Sequence, residues 1–475
     1  MSKEKDLAKN TAIISVGRIC TQFMSFFLLP LYTSILSTKE YGTVDLLISY
    51  SSLLLPAVTF AVEQALFRFL IDVRHNEGEK SKIISTAVLF AVFQCVICAI
   101  LLGIIQLFLQ NQYMPYFILM VTACIFSAIS LQLSRGLGDN IGYALGSFIT
   151  AAVQIFCNIL FLVIFRMGAK GMLLAAATGN IACFMLLCVK LKVYKYIHMK
   201  SFQMKTLKEL LQYSVPLIPN QLSWWVMNAS DKTIVAIFLG TAGNGLLAVA
   251  NKFPSVYIQF NTIFNISWTE SATMHINDDD AEEFFSEIIN SVFKLFSCVC
   301  TGMIVCIPFV ISWLVDESYY DAYYQIPIYL LASLCHVVVS LYGVIYVAHK
   351  KTKEIAMTAL YAAAINVGSH LLLIHFIGLY AASISSLLGY GAMAVYRYFH
   401  SRKYLTIKFS AKLILKVIFM MVISFVTYYL RNMVFHVIAF VIILLMSVYM
   451  NRDMAVSLMN LGKRKISRIF KKSND

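Results

Sequence analysis

The chain has 475 residues, of which 60% are hydrophobic and 13% charged, with 38 Lys+Arg against 24 Asp+Glu for a formal net charge of +14. Soluble domains run at about 45–50% apolar and about 25% charged residues, so a soluble globular protein is excluded, as are disorder, collagen and a small disulfide scaffold. No polar stretch is long enough for a large extramembrane catalytic domain, and the positive excess, which in a soluble chain would raise nucleic-acid binding, fits basic loops on one membrane face.

Apolar stretches of about 20 residues, each sufficient to cross a bilayer, predict fourteen spans. The first lies at 11–36, behind Lys3, Lys5 and Lys9; it runs past Leu29 and so reads as a retained span, not a cleaved leader. It carries Arg18 about a third of the way in. Span two, 43–71, carries Glu63 and Arg68 toward its far end. Spans three to six follow at 83–109, 113–134, 141–165 and 171–190, and a basic loop at 191–209 closes this group. Span seven, 210–239, holds Pro216, Pro219, Trp224, Trp225 and the pair Asp231-Lys232. Span eight, 246–270, holds Lys252, Tyr257, Phe260 and Trp268. The loop 275–287 is acidic and reads as a solvated surface helix; its Asp278-Asp279-Asp280 run lacks the alternating ligands and glycine of a calcium loop. Six more spans follow at 288–315, 323–348, 354–377, 379–399, 411–430 and 433–450. The tail 452–475 alternates apolar residues with Lys463, Arg464, Lys465, Arg468, Lys471 and Lys472, the pattern of an amphipathic segment on an anionic leaflet.

Cations sort by loop parity. Thirty lie at the N-terminus, in loops after even-numbered spans, or in the tail; only Lys39, Arg166, Lys170 and Arg431 lie on the opposite side. Both termini are therefore expected in the cytoplasm. The eleven cysteines all fall in apolar stretches and read as small buried hydrophobes; Cys95-x-x-Cys98 has no second ligand pair in a polar setting for a metal. His336, His349, His370 and His375 form no metal pattern, His370 and His375 being five residues apart, so packed or headgroup-level histidines are the default.

An internal repeat organises the spans. Leu36-Ser-Thr38-Lys-Glu-Tyr-Gly42 ends span one, and Leu239-Gly-Thr241-Ala-Gly-Asn-Gly245 ends span seven, at an offset of 203. Gly168 after span five and Gly378 after span eleven match at an offset of 210. The implied architecture is two parallel six-helix bundles, 1–205 and 206–404, related by a pseudo-two-fold axis along the membrane normal, with 405–475 as an extra helix pair and basic tail.

Charges inside a span cost a few kcal/mol on insertion scales and belong beside protein or a wet cavity. Arg18, Arg68, Lys232 and Lys252 fall on spans one, two, seven and eight, which are equivalent helices of the two bundles, so a basic central cleft is expected. Each has a plainer reading: Arg68 snorkels to the headgroups, Glu63 neutralises it, and Asp231 forms a structural pair with Lys252 or Arg18. Arg18 and Lys252 resist that reading best, having no acid nearby on their own helix. Pro216 and Pro219 bend span seven, as a hinge or a static kink. Asp231 and Glu63 are the candidates for charge balance or for a coupling H+ or Na+. No catalytic constellation is present in the sequence, and no cofactor is called for.

The stretch from Tyr213 through Pro216, Pro219 and Trp225, then Ser230-Asp231-Lys232, Phe238-Leu-Gly240 and Gly245 to Lys252, resembles the start of the second half of Wzx-type polysaccharide exporters, members of the multidrug/oligosaccharidyl-lipid/polysaccharide superfamily. Lys9-Asn10-Thr11 through Arg18, Pro30-Leu-Tyr32 and Glu40-Tyr41-Gly42 are similar to that family's first span and turn. Two departures are Lys232 where the family commonly has Arg, and Gly245-Leu-Leu where it commonly has Gly-x-Tyr. The resemblance implies a plasma-membrane flippase that carries undecaprenyl-diphosphate-linked oligosaccharide to the outer leaflet, working with glycosyltransferases and a polymerase. A lipid II flippase and a multidrug or organic-cation antiporter of the same superfamily are the competing readings. The antiporter needs acids in its cleft, whereas cations outnumber acids within these spans. A membrane glycosyltransferase or polymerase would need larger outer loops.

Overall fold

A computed structural model describes residues 26–452. Arg18, the start of span one and the basic tail from 453 onward lie outside the described residues. Among the described residues the regular structure is all helical, with no strand. Ten helices are long and apolar enough to cross a membrane, and the protein is a multi-pass membrane protein. These ten occupy the positions expected for spans two to six, nine to eleven, thirteen and fourteen. Helices also stand where spans seven, eight and twelve were expected, at Ile218–Phe238, Lys252–His275 and Tyr380–His400.

Two compact units emerge. Among the described residues the first comprises 26–252, Val315–Ala322 and Ala363–Ala382, and the second comprises Phe253–Leu314, Tyr323–Ala362 and 383–452. In the first unit the described chain opens with α1, Leu29–Ile35, and α2, Thr38–Thr59. The start of α2 is fixed by a capping box, in which Ser37 accepts from the Glu40 N–H and Glu40 accepts from the Ser37 N–H. Expected span two is not one helix. It breaks at Phe60 and Ala61, both left-handed at φ of 51° and 55°, and resumes as α3, Val62–Asp72. Non-glycine residues pay about 1–3 kcal/mol each for such φ. Thr59 offsets part of that: its hydroxyl accepts from the Ala61 N–H at 3.2 Å and lies 2.8 Å from both the Leu55 carbonyl and Glu63 Oε2.

The chain continues with α4 (Glu77–Leu109), α5 (Met114–Gly136), α6 (Asn140–Ile159, ending in a π turn at Leu160–Ile164) and α7 (Gly168–Lys190). Asn76 and Asp139 cap α4 and α6 through side-chain oxygens. After the basic loop come α8 (Met204–Ser214), α9 (Ile218–Phe238), α10 (Gly240–Ala250) and α11 (Lys252–His275). Expected span eight is thus also divided, at Asn251. Pro216 sits in a short 3₁₀ turn, Val215–Leu217, and Pro219 in the first turn of α9. The bend they introduce is therefore a boundary between helices, where proline costs no helical hydrogen bond.

The repeated Thr-x₃-Gly sequence is the contact between α2 and α10. A Cβ on Gly42 would stand 1.9 Å from the Thr241 carbonyl oxygen, and one on Gly245 would stand 2.0 Å from the Thr38 carbonyl oxygen. Each copy supplies the glycine that admits the other's backbone, and Asn244 Nδ2 donates to the Gly42 carbonyl at 2.7 Å. Tyr41 stacks on Tyr32 and meets Tyr319 edge-on, and Tyr319 donates to the Leu36 carbonyl. Tyr32 in turn accepts from Asn158 Nδ2 at 2.9 Å, tying α1 to α6.

In the second unit α11 is followed by α12 (Ala281–Leu314), α13 (Ile326–Ala348), α14 (Thr352–Ile377, which returns to the first unit at Ala363), α15 (Tyr380–His400), α16 (Ala411–Leu430) and α17 (Met433–Met450). The terminal pair α16–α17 packs on α12 through Cys298, Val305, Val417, Met420, Ala439 and Ile443. The segment leading into α16 is also fastened to α12. The N–H groups of Thr406, Lys408 and Ser410 donate to Glu282 Oε1, Ser286 Oγ and Asn290 Oδ1 at 3.0–3.1 Å. The match is geometric: four helical residues rise about 6 Å and two extended residues about 6.6 Å, so side chains at i, i+4 and i+8 meet alternate residues of an extended segment. Asn290 completes the seam by donating to the Lys408 carbonyl.

Candidate functional site

The site grows out of the adjacent residues Asp231 and Lys232. On a helix of 3.6 residues per turn, neighbours point about 100° apart, and these two charges find different partners within the first unit. Lys232 turns toward α2. Its Nζ lies 2.8 Å from Asp45 Oδ2 and donates to Ser49 Oγ at 3.0 Å. Two turns earlier on the same face of α9, Trp225 donates through Nε1 to the Ser49 carbonyl at 2.8 Å, its ring 6.2 Å from that of Tyr50. Asp45 and Ser49 are spaced i,i+4, so one stripe of α2 receives both side chains. Lys252, at the first position of α11, completes the group: it is attracted by Asp45 and repelled by Lys232. Lys232 is thus paired with Asp45, and Lys252, with no ion pair of its own among the described residues, feels the charge of both, so two lysines stand with one carboxylate.

Asp231 turns toward α14. Its Oδ1 lies 2.8 Å from His370 Nδ1, with the imidazole fully buried. Beside them Ser230 Oγ stands 3.5 Å from Asn366 Oδ1. Asp231 thus meets a histidine 139 residues away in the chain, a contact the sequence expectation of Lys252 or Arg18 as partner did not include; Arg18 lies outside the described residues.

The remaining sequence candidates separate from this group. Arg68 Nη1 pairs with Asp72 Oδ1 at 2.7 Å, both half-exposed, near the end of α3. Glu63 is not its partner. That carboxylate is 2% exposed and bonded to Thr59 beside the break in span two. The i,i+4 relation of Arg68 to Asp72 wins over the i,i+5 relation to Glu63, as helical geometry dictates. Of the aromatics, Tyr257 and Trp268 are buried packing residues of the second unit, donating to the carbonyls of Phe296 and Leu341, while Phe260 is partly exposed. Asp279, Asp280, Glu282, Glu283 and Glu287 line an open cleft with Lys294 and Lys408.

Sequence reasoning missed Asp45, which falls just inside span two. The signal was there: an acid, then Ser49 four residues on, on the face opposed to the repeated helix. It also missed Arg397, a 4%-exposed guanidinium near the end of α15. Arg397 donates to the Val339 carbonyl at 2.9 Å and to Thr358 Oγ1 at 2.8 Å, holding α13, α14 and α15 together within the second unit.

The first unit also contains a small cavity of about 170 Å³ between α1 and α6, lined by Tyr32, Ser147, Thr150, Gln154 and Asn158. Asn158 Oδ1 is buried there without a hydrogen-bond partner. Its polar lining is uncharged, so it offers hydrogen bonds without attracting an ion.

Comparison with known proteins places this arrangement in a family. The sequence pattern of the family described as "Polysaccharide biosynthesis protein" matches residues 7–268. The chain belongs to this polysaccharide biosynthesis family. The matched region includes every charged candidate from Arg18 to Lys252. A search of curated proteins returns no match. Among solved structures, the lipid II flippase MurJ in an inward closed conformation superposes with a TM-score of 0.70 at 16% identity, covering 94% of this chain and 100% of that one. An inward-facing multidrug resistance MATE transporter of the MOP superfamily gives 0.68 at 13% identity, covering 82% and 97%. A MOP superfamily transporter from Pyrococcus furiosus, described by the reverse polarity of its binding pocket, gives 0.58 at 14% identity, covering 83% and 95%. At these identities the likeness is one of fold, and it agrees with the superfamily that the sequence resemblance implied.

Proposed function

We propose that this polysaccharide-family protein is a flippase, not an enzyme, that moves undecaprenyl-diphosphate-linked oligosaccharide units from the inner to the outer leaflet of a bacterial plasma membrane. The observation that carries the reading is the Lys232–Asp45–Lys252 group. The diphosphate is the charged part of such a cargo, and two lysines beside a single carboxylate, Lys232 paired with it and Lys252 near it, leave a positive charge to receive it. Lysine suits this task because its ammonium is a mobile point charge that can leave one anion for another. Asp45 holds Lys232 when cargo is absent and takes it back after release. Arg18 extends the cationic path along the first bundle, while Arg68 stands apart, paired with Asp72 at the end of α3.

In this reading the bundles 1–205 and 206–404 rock about the loop before Pro216 and Pro219, with 405–475 carried as an extra pair, and both termini face the cytoplasm. The lipid tail stays in the bilayer while the headgroup passes through. Asp231 and Glu63 hold the coupling ion, H+ or Na+. Glycosyltransferases on the inner face supply the cargo and a polymerase on the outer face consumes it. The superposition on a lipid II flippase supports the neighbouring reading, lipid II itself as cargo, because it carries the same diphosphate. The test is a deletion strain. Loss of the protein should abolish surface polysaccharide and accumulate its lipid-linked repeat unit, and restoring the wild type but not Lys252→Ala should reverse both. Accumulation of lipid II with surface polysaccharide intact would favour the second cargo.

A further inference from the structure

We infer that Asp231 and His370 form a proton-binding pair, with His370 Nε2 as the atom that takes the proton. The inference deepens the flippase reading above by assigning its coupling ion to a residue. The geometry carries it. The contact of 2.8 Å between Asp231 Oδ1 and His370 Nδ1 requires one shared proton. The other ring nitrogen, Nε2, is buried and has no hydrogen-bond partner. In the captured state an N–H there would be a buried donor without acceptor, the costlier of the two unsatisfied arrangements. Nε2 is therefore a bare lone pair beside a carboxylate. One proton from water, added at Nε2, converts the imidazole to an imidazolium facing the carboxylate; release returns that proton to water and restores the neutral ring. No other bond forms or breaks.

The surroundings favour a proton over a metal cation. A hard monovalent or divalent cation seeks several oxygens, and here Asp231 Oδ1 is already engaged by nitrogen. Among the described residues, the neighbouring helices carry these charges. On α9 the next residue, Lys232, turns away to Asp45. On α2, which packs against α9, Lys39 and Glu40 lie in the first turn, Glu40 engaged in its cap, and Asp45 holds Lys232. α10 has no ionisable residue, and Lys252 opens α11 beside Asp45 and Lys232. On α14, His375 packs edge-on against Phe238, and Lys353 and Glu354 lie at the opposite end. Because Asp231 and Lys232 are consecutive, a proton that changes the hold of α14 on Asp231 also changes how α9 presents Lys232. That links proton uptake to the cargo-binding lysine.

The test uses the full chain in lipid nanodiscs without cargo, followed by hydrogen–deuterium exchange at about pH 5.5 and about pH 8, corrected for intrinsic rates. Peptides covering 218–238 and 363–377 should change protection between the two, independently of added NaCl. His370→Asn keeps a side-chain donor where Nδ1 sits but cannot take the second proton, and should lose the response; Asp231→Asn should lose it as well. His375→Asn should keep it. A wild type with no pH response in these peptides, a His370→Asn variant that retains the wild-type response, or a response that follows Na+ and not pH would each overturn the assignment. Because no cargo is present, a positive result stands even if the exported lipid is misidentified, and a flat result stands even if export is normal.

Discussion

Lys232, Lys252 and Asp45 do different jobs, and substitution should separate them. Lys252→Ala removes a cation with no dedicated partner, so export should be abolished while the protein still inserts; Lys252→Arg should restore part of it. Asp45→Ala strands Lys232, and breaking such an ion pair costs up to about 3–5 kcal/mol when it is buried. This pair is about one-fifth exposed, so the loss should be smaller but visible as lowered thermal stability in detergent. Removing both partners should then be milder than the sum of the two single losses, with a coupling of about 0.5–3 kcal/mol. Strict additivity in thermal melts would mean that the pair contributes nothing. These charges were only partly legible beforehand. Lys252 and Lys232 stand out as cations in apolar sequence, whereas the choice of partner depends on which helix lies alongside, and no local pattern states that. Asp231 illustrates the point: its partner is a histidine on α14 that, read alone, looks like a packed core residue.

At the scale of helices, the Thr-x₃-Gly repeat was readable as a motif but not as a contact. Two weak copies 203 residues apart turn out to be the two sides of one crossing, α2 on α10, and each glycine is required by the other copy's backbone. Gly42→Ala and Gly245→Ala should each destabilise by about 1–3 kcal/mol or more, because the atom in the way is a main-chain carbonyl that cannot rotate aside. Membrane yield and melting temperature check this, with Gly103→Ala, where nothing stands within 4 Å, expected to be neutral. The break in span two was illegible for a physical reason. It falls on Phe60 and Ala61, neither of which favours a left-handed backbone, and is held by the side-chain hydrogen bonds of Thr59. The seam between α12 and the segment entering α16 was hidden in the same way, since Glu282, Ser286 and Asn290 read as an ordinary polar helical face. Asn290→Ala removes both a donor and an acceptor from that seam and should speed hydrogen exchange over 406–410 without affecting peptides of the first unit.

For the whole molecule, the sequence carried the class of protein: apolar length set the spans, loop charge set an orientation, and a resemblance over a few motifs pointed to the family that the comparison supports. The orientation is directly testable. In a background lacking the eleven native cysteines, Ala242→Cys should react with an impermeant maleimide on intact cells and Gln203→Cys should not; the reverse would invert the topology. Cargo export itself is tested by reconstitution. The purified protein is placed in liposomes containing the undecaprenyl-diphosphate-linked oligosaccharide extracted from the deletion strain, and the fraction exposed to an impermeant glycosidase is followed with time. Wild type should expose the inner-leaflet pool, and Lys252→Ala should leave it protected as in empty liposomes. A folded, correctly inserted wild type that leaves the pool protected under an imposed pH gradient of either sign would contradict the account.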